Sequence, residues 1–441
     1  MPAPLLKIST TQDLPQDADV VVIGGGIVGV STAYYLARRG VRVALVEKGL
    51  IGAEQSSRNW GWCRQQNRDA RELPLSTASL DLWDKLNGEI GLDAGFRRCG
   101  LLYLSNSEAE IDTWARWGQF ARSVGVTTHM LTSEQARERG QATGQVWKGG
   151  VFSPTDGTAD PSVAAPVIAL GIMKFGGTVH QMCAARGLEM EAGRVSGVVT
   201  ESGTIRTRTV VMAGGAWASS FCRQLDVSFP QVSIKSCIVA LEPGAQGLPA
   251  ALHTKDVSVT QRVNGGYTLA ISGRCWIDPT LQQLRYAHQF IPMFAKRKIS
   301  PKLGDLNAWR AGFERMTKWR LDRPTPMERS RILDPLPAKD EVEEMLRRAR
   351  KLLPALQKVG VASTWAGYID STPDGVPAIG HIDAVPGLVL AAGFSGHGFG
   401  IGPGAGHLVA DIITGAPPIV DPRPYHPDRL KKSARGKVAE F

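Results

Sequence analysis

The sequence lacks the features that mark several specialised classes of protein. Its six cysteines include no Cys-x-x-Cys pair, and no spacing of His, Cys, Asp or Glu suggests a metal site. No apolar run is long enough for a signal peptide or a membrane helix, and no internal repeat is visible. These absences predict a globular cytoplasmic protein with reduced thiols. Its 441 residues are enough for two or three domains with large cores.

Positive charge is in excess, but it is not concentrated. The formal net charge is +10, which raises the question of nucleic-acid binding. The cations are spread along the chain, and the dense group at Arg347–Lys351 closes a predicted helix that opens with acids at Asp340 and Glu341. That distribution complements the helix dipole and favours a solvated face. We therefore expect no nucleic-acid partner.

One stretch near the start carries a specific signature. The apolar run Val20–Ile23 leads into Gly-x-Gly-x-x-Gly at Gly24, Gly26 and Gly29, followed by a helical pattern, a second strand and Glu47. In a dinucleotide-binding βαβ unit the glycines permit the turn, the approach of a pyrophosphate and close helix–strand packing, while the acid binds the ribose. The alternative is a glycine-rich turn in some other α/β protein.

Two later segments repeat the pattern of a strand followed by small residues. Val210–Trp217 ends in Ala-Gly-Gly-Ala-Trp, and the strand Leu388–Ala391 leads into Gly-His-Gly-Phe-Gly at Gly396–Gly400 and a further helix. Between them, Val232–Leu269 has the pattern of short strands, and Ile277–Ala311 is helical and cationic. The sequence therefore predicts separate cofactor-binding segments and an inserted helical subdomain.

Four motifs together resemble a known family over nearly the whole chain. They are Val22–Gly29, Ala213–Trp217, Thr372–Gly380 with its Thr-Pro-Asp-Gly, and Gly396–Gly400. The chain is similar to the D-amino-acid-oxidase superfamily of FAD enzymes, which includes glycine oxidase, sarcosine oxidase and amino-acid dehydrogenases. The resemblance implies α/β plus α+β architecture, in which a Rossmann-like FAD-binding domain accompanies an antiparallel-sheet substrate domain.

The resemblance also implies domain limits. The discontinuous FAD-binding domain is expected to comprise residues 1–80, 145–225 and 360–441. The substrate-binding domain is expected to comprise 81–144 and 226–359, with the helical insert at about 276–335.

A narrower resemblance rests on three segments: Gly52–Ser56, the insert after Arg274, and Pro418–Pro422. These look similar to bacterial L-amino acid deaminases of the Proteus type and to L-amino acid oxidases. Those deaminases carry an N-terminal membrane helix, for which this sequence has no counterpart. Direct use of O₂ with release of H₂O₂ is therefore favoured, a quinone acceptor stays open, and contact of the basic insert with a membrane surface is an alternative. A homodimer is also compatible with the resemblance.

The resemblance implies non-covalent FAD, because no His or Cys stands in Glu54–Trp60, where some relatives attach it. The residues expected to hold FAD come from all three cofactor segments. They are Gly24, Gly26, Ile27, Val28, Gly29, Glu47, Lys48, Gln55, Ser56, Ser57, Arg58, Gly61, Trp62, Ala185, Ala213, Gly214, Trp217, Gly367, Gly396, Gly398, Phe399 and Gly400.

One departure from the superfamily bears on handedness. D-amino acid enzymes usually have Gly-x-Arg-Pro just before Thr-Pro-Asp-Gly, and that Arg binds the substrate carboxylate. Here Gly367–Asp370 reads Gly-Tyr-Ile-Asp. By resemblance to the deaminases, Arg274 is the expected replacement, since a carboxylate is best bound by a guanidinium. The alternative is that Arg274 lies at a strand end in solvent.

Three further residues are candidates for the catalytic site. His397 aligns with an aromatic residue that covers the substrate in the deaminases, and its alternative role is that of a helix-cap residue. Trp365 and Cys99 are expected in the substrate pocket, with core packing as the alternative. No metal and no obligatory catalytic base are expected.

The expected reaction is oxidative deamination of L-amino acids to 2-oxo acids and ammonia. A hydride moves from Cα to the flavin, water hydrolyses the imino acid, and O₂ reoxidises the flavin. The alternatives are a D-amino acid or secondary-amine (glycine/sarcosine-type) oxidase or dehydrogenase, and a flavoprotein that serves only as a binding module.

Overall fold

The computed structural model describes residues 3–297, 301–305, 314 and 316–431. In chain order the strands are β1 Val20–Ile23, β2 Val43–Val46, β3 Trp62–Cys63, β4 Leu101–Ser105, β5 His129–Leu131, β6 Gly149–Ser153, β7 Gly157–Thr158, β8 Thr178–His180, β9 Ala185–Glu191, β10 Arg194–Thr200, β11 Gly203–Arg206, β12 Val210–Met212, β13 Val232–Leu241, β14 Ala251–His253, β15 Ser258–Gln261, β16 Tyr267–Ala270, β17 Trp276–Ile277, β18 Lys302–Leu303, β19 Val361–Ser371, β20 Ala378–His381 and β21 Leu388–Ala392.

Helices alternate with these strands along the chain. They are α1 Ile27–Arg38, α2 Leu73–Ile90, α3 Glu108–Ser123, α4 Ser133–Arg139, α5 Ala164–Lys174, α6 Ala218–Gln224, α7 Leu281–Arg297, α8 Pro326–Arg329, α9 Lys339–Leu352 and α10 Gly398–Thr414. Within the described ranges, none has the length and hydrophobicity that a membrane crossing requires. Nor does that part of the chain bring three or more His, Cys, Asp or Glu side chains together in a way that could hold a metal ion.

A six-stranded sheet forms the first layer, in the order β20-β21-β12-β1-β2-β8. The pairs from β21 to β8 are parallel, and β20 is an antiparallel edge strand. β1 and β2 are buried along their whole length, as continuous apolar runs in a parallel sheet should be. Helices α1, α5 and α10 share one core on this sheet, so the first and last parts of the chain meet there.

A ten-stranded sheet forms the second layer. Its order is β18-β17-β13-β16-β15-β14-β4-β6-β5, and β19 pairs antiparallel with β13 over most of its length. Helix α9 packs its apolar face on this sheet through Met345, Ala349 and Leu352. Smaller β-structures complete the fold: β9-β10-β11 is a meander beside the first sheet, and β3 pairs with β7.

The α/β plus α+β architecture with a Rossmann-like layer is therefore confirmed. The sheets divide the chain somewhat differently from the predicted limits, because β6 and β19 pair within the ten-stranded sheet. The predicted division into domains stays a prediction. Parts of the predicted helical insert, residues 298–300, 306–313 and 315, lie outside the described residues, as does the segment 432–441 of the predicted FAD-binding domain.

Candidate active site

A cavity of about 430 Å³ lies between the two sheets. Its walls come from the β1–α1 turn, the segment after β2, the end of β12, the middle of β19 and the start of α10. All predicted cofactor residues line it except Gly29, Ser57 and Gly61. Segments more than three hundred residues apart in sequence thus converge on one cavity, which is the arrangement that a discontinuous cofactor site requires.

The β1–α1 turn is held tightly enough to require glycine. Gly24 has φ +111°, and a Cβ there would lie 2.5 Å from the carbonyl oxygen of Ala213. Gly29 is outside the cavity because it packs on the turn itself, where a Cβ would lie 1.9 Å from the oxygen of Gly24. Helix α1 begins at Ile27, and its N-cap residue Gly26 has no side chain that could cap it. The helix dipole and the first-turn amides after that of Ile27 therefore offer an anion site.

Two acceptors fix the backbone around this turn. Ser56 Oγ accepts the amide of Ile27 at 2.8 Å. The Glu47 carboxylate accepts the amides of Gly25 and Gly49, each at 2.7 Å, and burial raises its pKa. Each carboxylate oxygen can accept a further hydrogen bond, so Glu47 is placed to receive a ribose hydroxyl.

Two predicted cofactor residues, Lys48 and Arg58, form ion pairs and hydrogen bonds with other residues of the protein. Lys48 forms an ion pair with Glu54, donates to the carbonyl of Arg331 at 2.7 Å and lies over the Trp217 ring at 4.9 Å. Arg58 is 5% exposed and donates to Ala53, Ala366 and Asp334. Both side chains thereby connect the cavity wall to residues 331–334, which lie at the C-terminal end of the predicted insert.

A buried polar network lies near the C-terminal end of β19. Asp370 Oδ2 accepts from Gln231 and from the amide of Gly393, each at 2.9 Å. With its amide oriented to satisfy both neighbours, Gln55 donates to Asp370 Oδ1 at 2.8 Å and accepts the amide of Ala216 at 3.1 Å. Burial raises the pKa of Asp370 to about 6. The network ties the three cofactor segments together in the cavity wall, to which Gln55 and Asp370 belong.

The start of α10 presents the N-terminus of a second helix to the cavity. His397 precedes it and makes no side-chain cap hydrogen bond to the helix. Its Nδ1 lies 3.0 Å from Glu72 Oε2, and Glu72 is completely buried. A Cβ on Gly400 would lie 2.8 Å from the carbonyl oxygen of Trp62, so only glycine allows β3 to approach the helix. The amides of Gly398–Gly400 can polarise an electron-rich carbonyl placed there.

The structure brings one of the four predicted catalytic residues to the cavity. His397 lines it, whereas Arg274, Trp365 and Cys99 do not. Arg274 Nη2 points to Glu344 Oε1 at 3.9 Å, although its neighbour Gly273 lines the cavity. Trp365 is 1% exposed, packs in a small core with Ile238 and donates to the carbonyl of Arg58 at 3.4 Å. Cys99 Sγ lies 3.8 Å from the hydroxyl of Thr158.

Several lining residues were missed at the level of sequence. The polar ones include Arg64 and Arg68, and Ile238 and Ile369 are apolar. Trp60, which the sequence assigns to core or cofactor packing, adds further apolar surface. Arg64 directly follows the short strand β3, and Arg68 lies four positions later. That spacing beside an aromatic segment could have singled them out, whereas Ile238 looks like any other buried strand residue.

The residues of the cavity fit a dinucleotide that carries a flat ring system. Two helix N-termini, the Glu47 carboxylate beside the first of them and an apolar flank are the parts that such a molecule needs. Comparison with known proteins identifies the same type of ligand. A family model described as "DAO: FAD dependent oxidoreductase" matches residues 19–412.

Three similar proteins illustrate the range of activities. Glycine oxidase from Pseudomonas putida is 26% identical over 422 residues, which cover 93% of this chain and 98% of that protein. Mitochondrial sarcosine dehydrogenase from Mus musculus is 26% identical, and the match covers 96% of this chain but 42% of the mouse protein. The structure of L-amino acid deaminase from Proteus vulgaris is 29% identical, with a TM-score of 0.90 over 96% of this chain and 99% of that one.

Proposed function

The chain belongs to the DAO family of FAD-dependent oxidoreductases, with FAD as its cofactor, and from this premise we propose that it oxidatively deaminates L-amino acids. Oxidation of the amine of an amino acid is the coarser function that deaminases and glycine oxidases share. The finer choice concerns the handedness and size of the substrate.

The wall formed by β19 supports the L-amino acid assignment. Tyr368 and Ile369 line the cavity at the place where the D-amino acid enzymes of the superfamily usually carry a carboxylate-binding arginine. The Tyr368 hydroxyl donates to Asp278 Oδ2 at 2.8 Å, so the side chain is held in the wall. The similarity to the Proteus vulgaris deaminase over nearly the whole of both chains favours the same choice.

The overall conversion is L-amino acid, O₂ and water to 2-oxo acid, ammonia and H₂O₂. FAD supplies the two-electron acceptor for the hydride that leaves Cα. The chain's own contribution is to bind and orient the amino acid, with Trp60, Ile238 and Ile369 as the apolar flank that excludes water. The amides of Gly398–Gly400 stabilise negative charge that develops beside the helix. Neither task needs a dedicated catalytic base.

A glycine- or sarcosine-type oxidase is the second candidate. The 26% identity to Pseudomonas putida glycine oxidase over nearly all of both chains supports it. That candidate predicts turnover of glycine or N-methylglycine, which have no large side chain, whereas the apolar flank favours a substrate with an apolar side chain.

The assignment is tested with the purified flavoprotein and matched amines. We expect anaerobic L-phenylalanine to bleach the flavin absorbance near 450 nm within seconds to minutes, on the order of the turnover times of ordinary enzymes. In air, equal amounts of H₂O₂ and phenylpyruvate should form. D-Phenylalanine, glycine and sarcosine serve as the comparison substrates. Bleaching by D-phenylalanine alone would contradict the L-assignment, and bleaching by glycine or sarcosine alone would establish the second candidate.

Two further parts of the proposal are its electron acceptor and its compartment. We propose O₂ as the acceptor. A cytoplasmic location is supported by the six cysteines, all of which are free and five of which are buried.

A further inference from the structure

The loop Arg64–Arg68 leaves β3 and is fixed by buried contacts. Asp156 is fully buried and accepts the amide of Gln65 at 2.7 Å. On the other side, the indole Nε1 of Trp117 donates to the carbonyl of Arg68 at 2.9 Å. The backbone that carries both guanidinium groups is therefore held in one position by groups inside the protein.

Arg68 is a buried arginine without a carboxylate partner in the described part of the chain. It is 3% exposed and lines the cavity. Its Nε donates to the carbonyl of Arg64 at 3.3 Å, whereas Nη1 has no acceptor among the described residues and no access to solvent. Arg58, in the same cavity wall, shows the usual arrangement, since it is equally buried but pairs with Asp334 at 2.6 Å.

The charged groups around Arg68 favour the binding of an anion there. Burial and the neighbouring Arg64 lower the pKa of Arg68 to about 10, while Glu72, Tyr103 and Asp156 act in the opposite direction. The group still carries its charge at neutral pH. A buried guanidinium with an open donor is costly unless an anion compensates it, and a carboxylate matches its planar pair of donors.

The position suits the substrate better than the cofactor phosphates. The amide of Arg64 lies 3.6 Å from the place where a Cβ on Gly400 would stand, so the loop runs beside the first turn of α10. The phosphates have their own site at the start of α1. We propose that the guanidinium of Arg68, flanked by that of Arg64, binds the carboxylate of the amino acid substrate. The assignment rests on the proposed function for the identity of the ligand.

Arg274, the arginine expected from resemblance to fill this role, is placed less favourably. Its guanidinium is directed at Glu344 and does not line the cavity. Arg68 already faces the cavity, and no rearrangement of helix α9 is required to free it. The two arginines therefore make opposite predictions for the same binding experiment.

Benzoate is the probe, because it has a carboxylate but no amine that the enzyme could oxidise. Its binding to the holoenzyme is followed as a change in the flavin absorption spectrum. For Arg68→Gln we expect a Kd for benzoate that is roughly 10- to 100-fold higher, the range for loss of a charged hydrogen bond. Arg68→Lys keeps the charge but loses the two-donor fork, so it should recover part of the affinity.

Control variants distinguish a specific loss of benzoate binding from a general loss of folding. Arg137→Gln removes an exposed arginine of α4 and should leave the Kd unchanged. Arg274→Gln should change it less than Arg68→Gln does. An unchanged Kd in Arg68→Gln, a larger loss in Arg274→Gln, or release of FAD from Arg68→Gln would each overturn the assignment. If Arg68→Gln does not fold, wild-type affinity in Arg68→Lys overturns it.

The benzoate experiment tests the role of Arg68 separately from the proposed function. Benzoate binding that depends on Arg68 supports the anion site even in an enzyme that oxidises only glycine. Conversely, turnover of L-phenylalanine with benzoate binding unaffected by Arg68 leaves the proposed function intact and removes the assignment of Arg68.

Discussion

The surroundings of His253 determine its protonation state. Its Nδ1 lies 2.9 Å from the hydroxyl of Ser258, and its ring centroid lies 5.0 Å from that of Tyr103. Burial, followed by the positive charge of Arg64, lowers its pKa to about 4. The imidazole is therefore neutral at physiological pH and adds no further positive charge beside Arg64.

This shift predicts a specific loss of stability in acid. Below about pH 6.5 the unfolded chain binds a proton at this histidine that the folded protein does not bind until about pH 4, so stability falls as the pH falls through this window. His253→Gln should reduce the slope of unfolding free energy against pH by up to about 1.4 kcal/mol per pH unit. Denaturant unfolding at several pH values measures it.

The exposed His381 provides the control. His381→Gln should leave the slope close to that of the wild type. Identical slopes for wild type and His253→Gln would show that His253 does not carry the acid sensitivity.

Helix α1 depends on a contact that only glycine permits. At Gly29 an added Cβ would lie 1.9 Å from the oxygen of Gly24, although the helical backbone itself accepts alanine. Gly88, in α2, is exposed and a Cβ there would meet nothing within 4 Å. The two positions share a helical setting and differ in what lies beside them.

The pair Gly29→Ala and Gly88→Ala therefore predicts opposite results. Gly29→Ala should separate α1 from the turn, lower the melting temperature and release FAD. Gly88→Ala should raise stability by about 0.5–1 kcal/mol, because alanine is the better helix former. Thermal unfolding and the ratio of flavin to protein absorbance measure both effects. FAD retention at the wild-type level in Gly29→Ala would contradict the close approach.

Sequence patterns predicted the helices and turns well where a single local rule determines the structure. The glycine signature and the acid after β2 follow from turn geometry, and α9 follows from its acidic start and basic end. The short strand β3 and the partner of Arg274 were not predictable, because each depends on which distant segment lies alongside. Arg64 and Arg68 were missed for the same reason: their proposed role depends on which groups lie beside Arg68, and only the fold reveals those neighbours.

At the scale of the whole molecule, the cofactor site is assembled from parts far apart in the chain. Helices α1 and α10 pack on each other, and Arg39 at the end of α1 pairs with the buried Asp411 of α10 at 2.6 Å. Residues 331–334 reach back to Arg58, Lys48 and Glu201. Neither sheet alone encloses the cavity, so its walls form only when the whole chain has folded.

FAD binding should therefore stabilise the entire molecule. For a ligand that binds only the folded state, the gain is about 2.7 kcal/mol at a free concentration of 100 times the Kd. We expect the melting temperature of the apoprotein to rise with each addition of FAD and that of the holoenzyme to fall when FAD is removed. Riboflavin, which lacks the phosphates that we expect to bind at α1, should have a smaller effect. A melting temperature independent of FAD would contradict this coupling.

The pairing of Arg39 with Asp411 spans 372 positions of the sequence. On the ribosome, α1 emerges long before α10 has been translated, and the part of its apolar surface that packs on α10 stays uncovered throughout that interval. Such late pairing slows folding and leaves the nascent chain prone to association with others. We therefore expect the protein to acquire its yellow colour only after translation of α10, and expression at low temperature or with chaperones to increase the yield of FAD-containing protein.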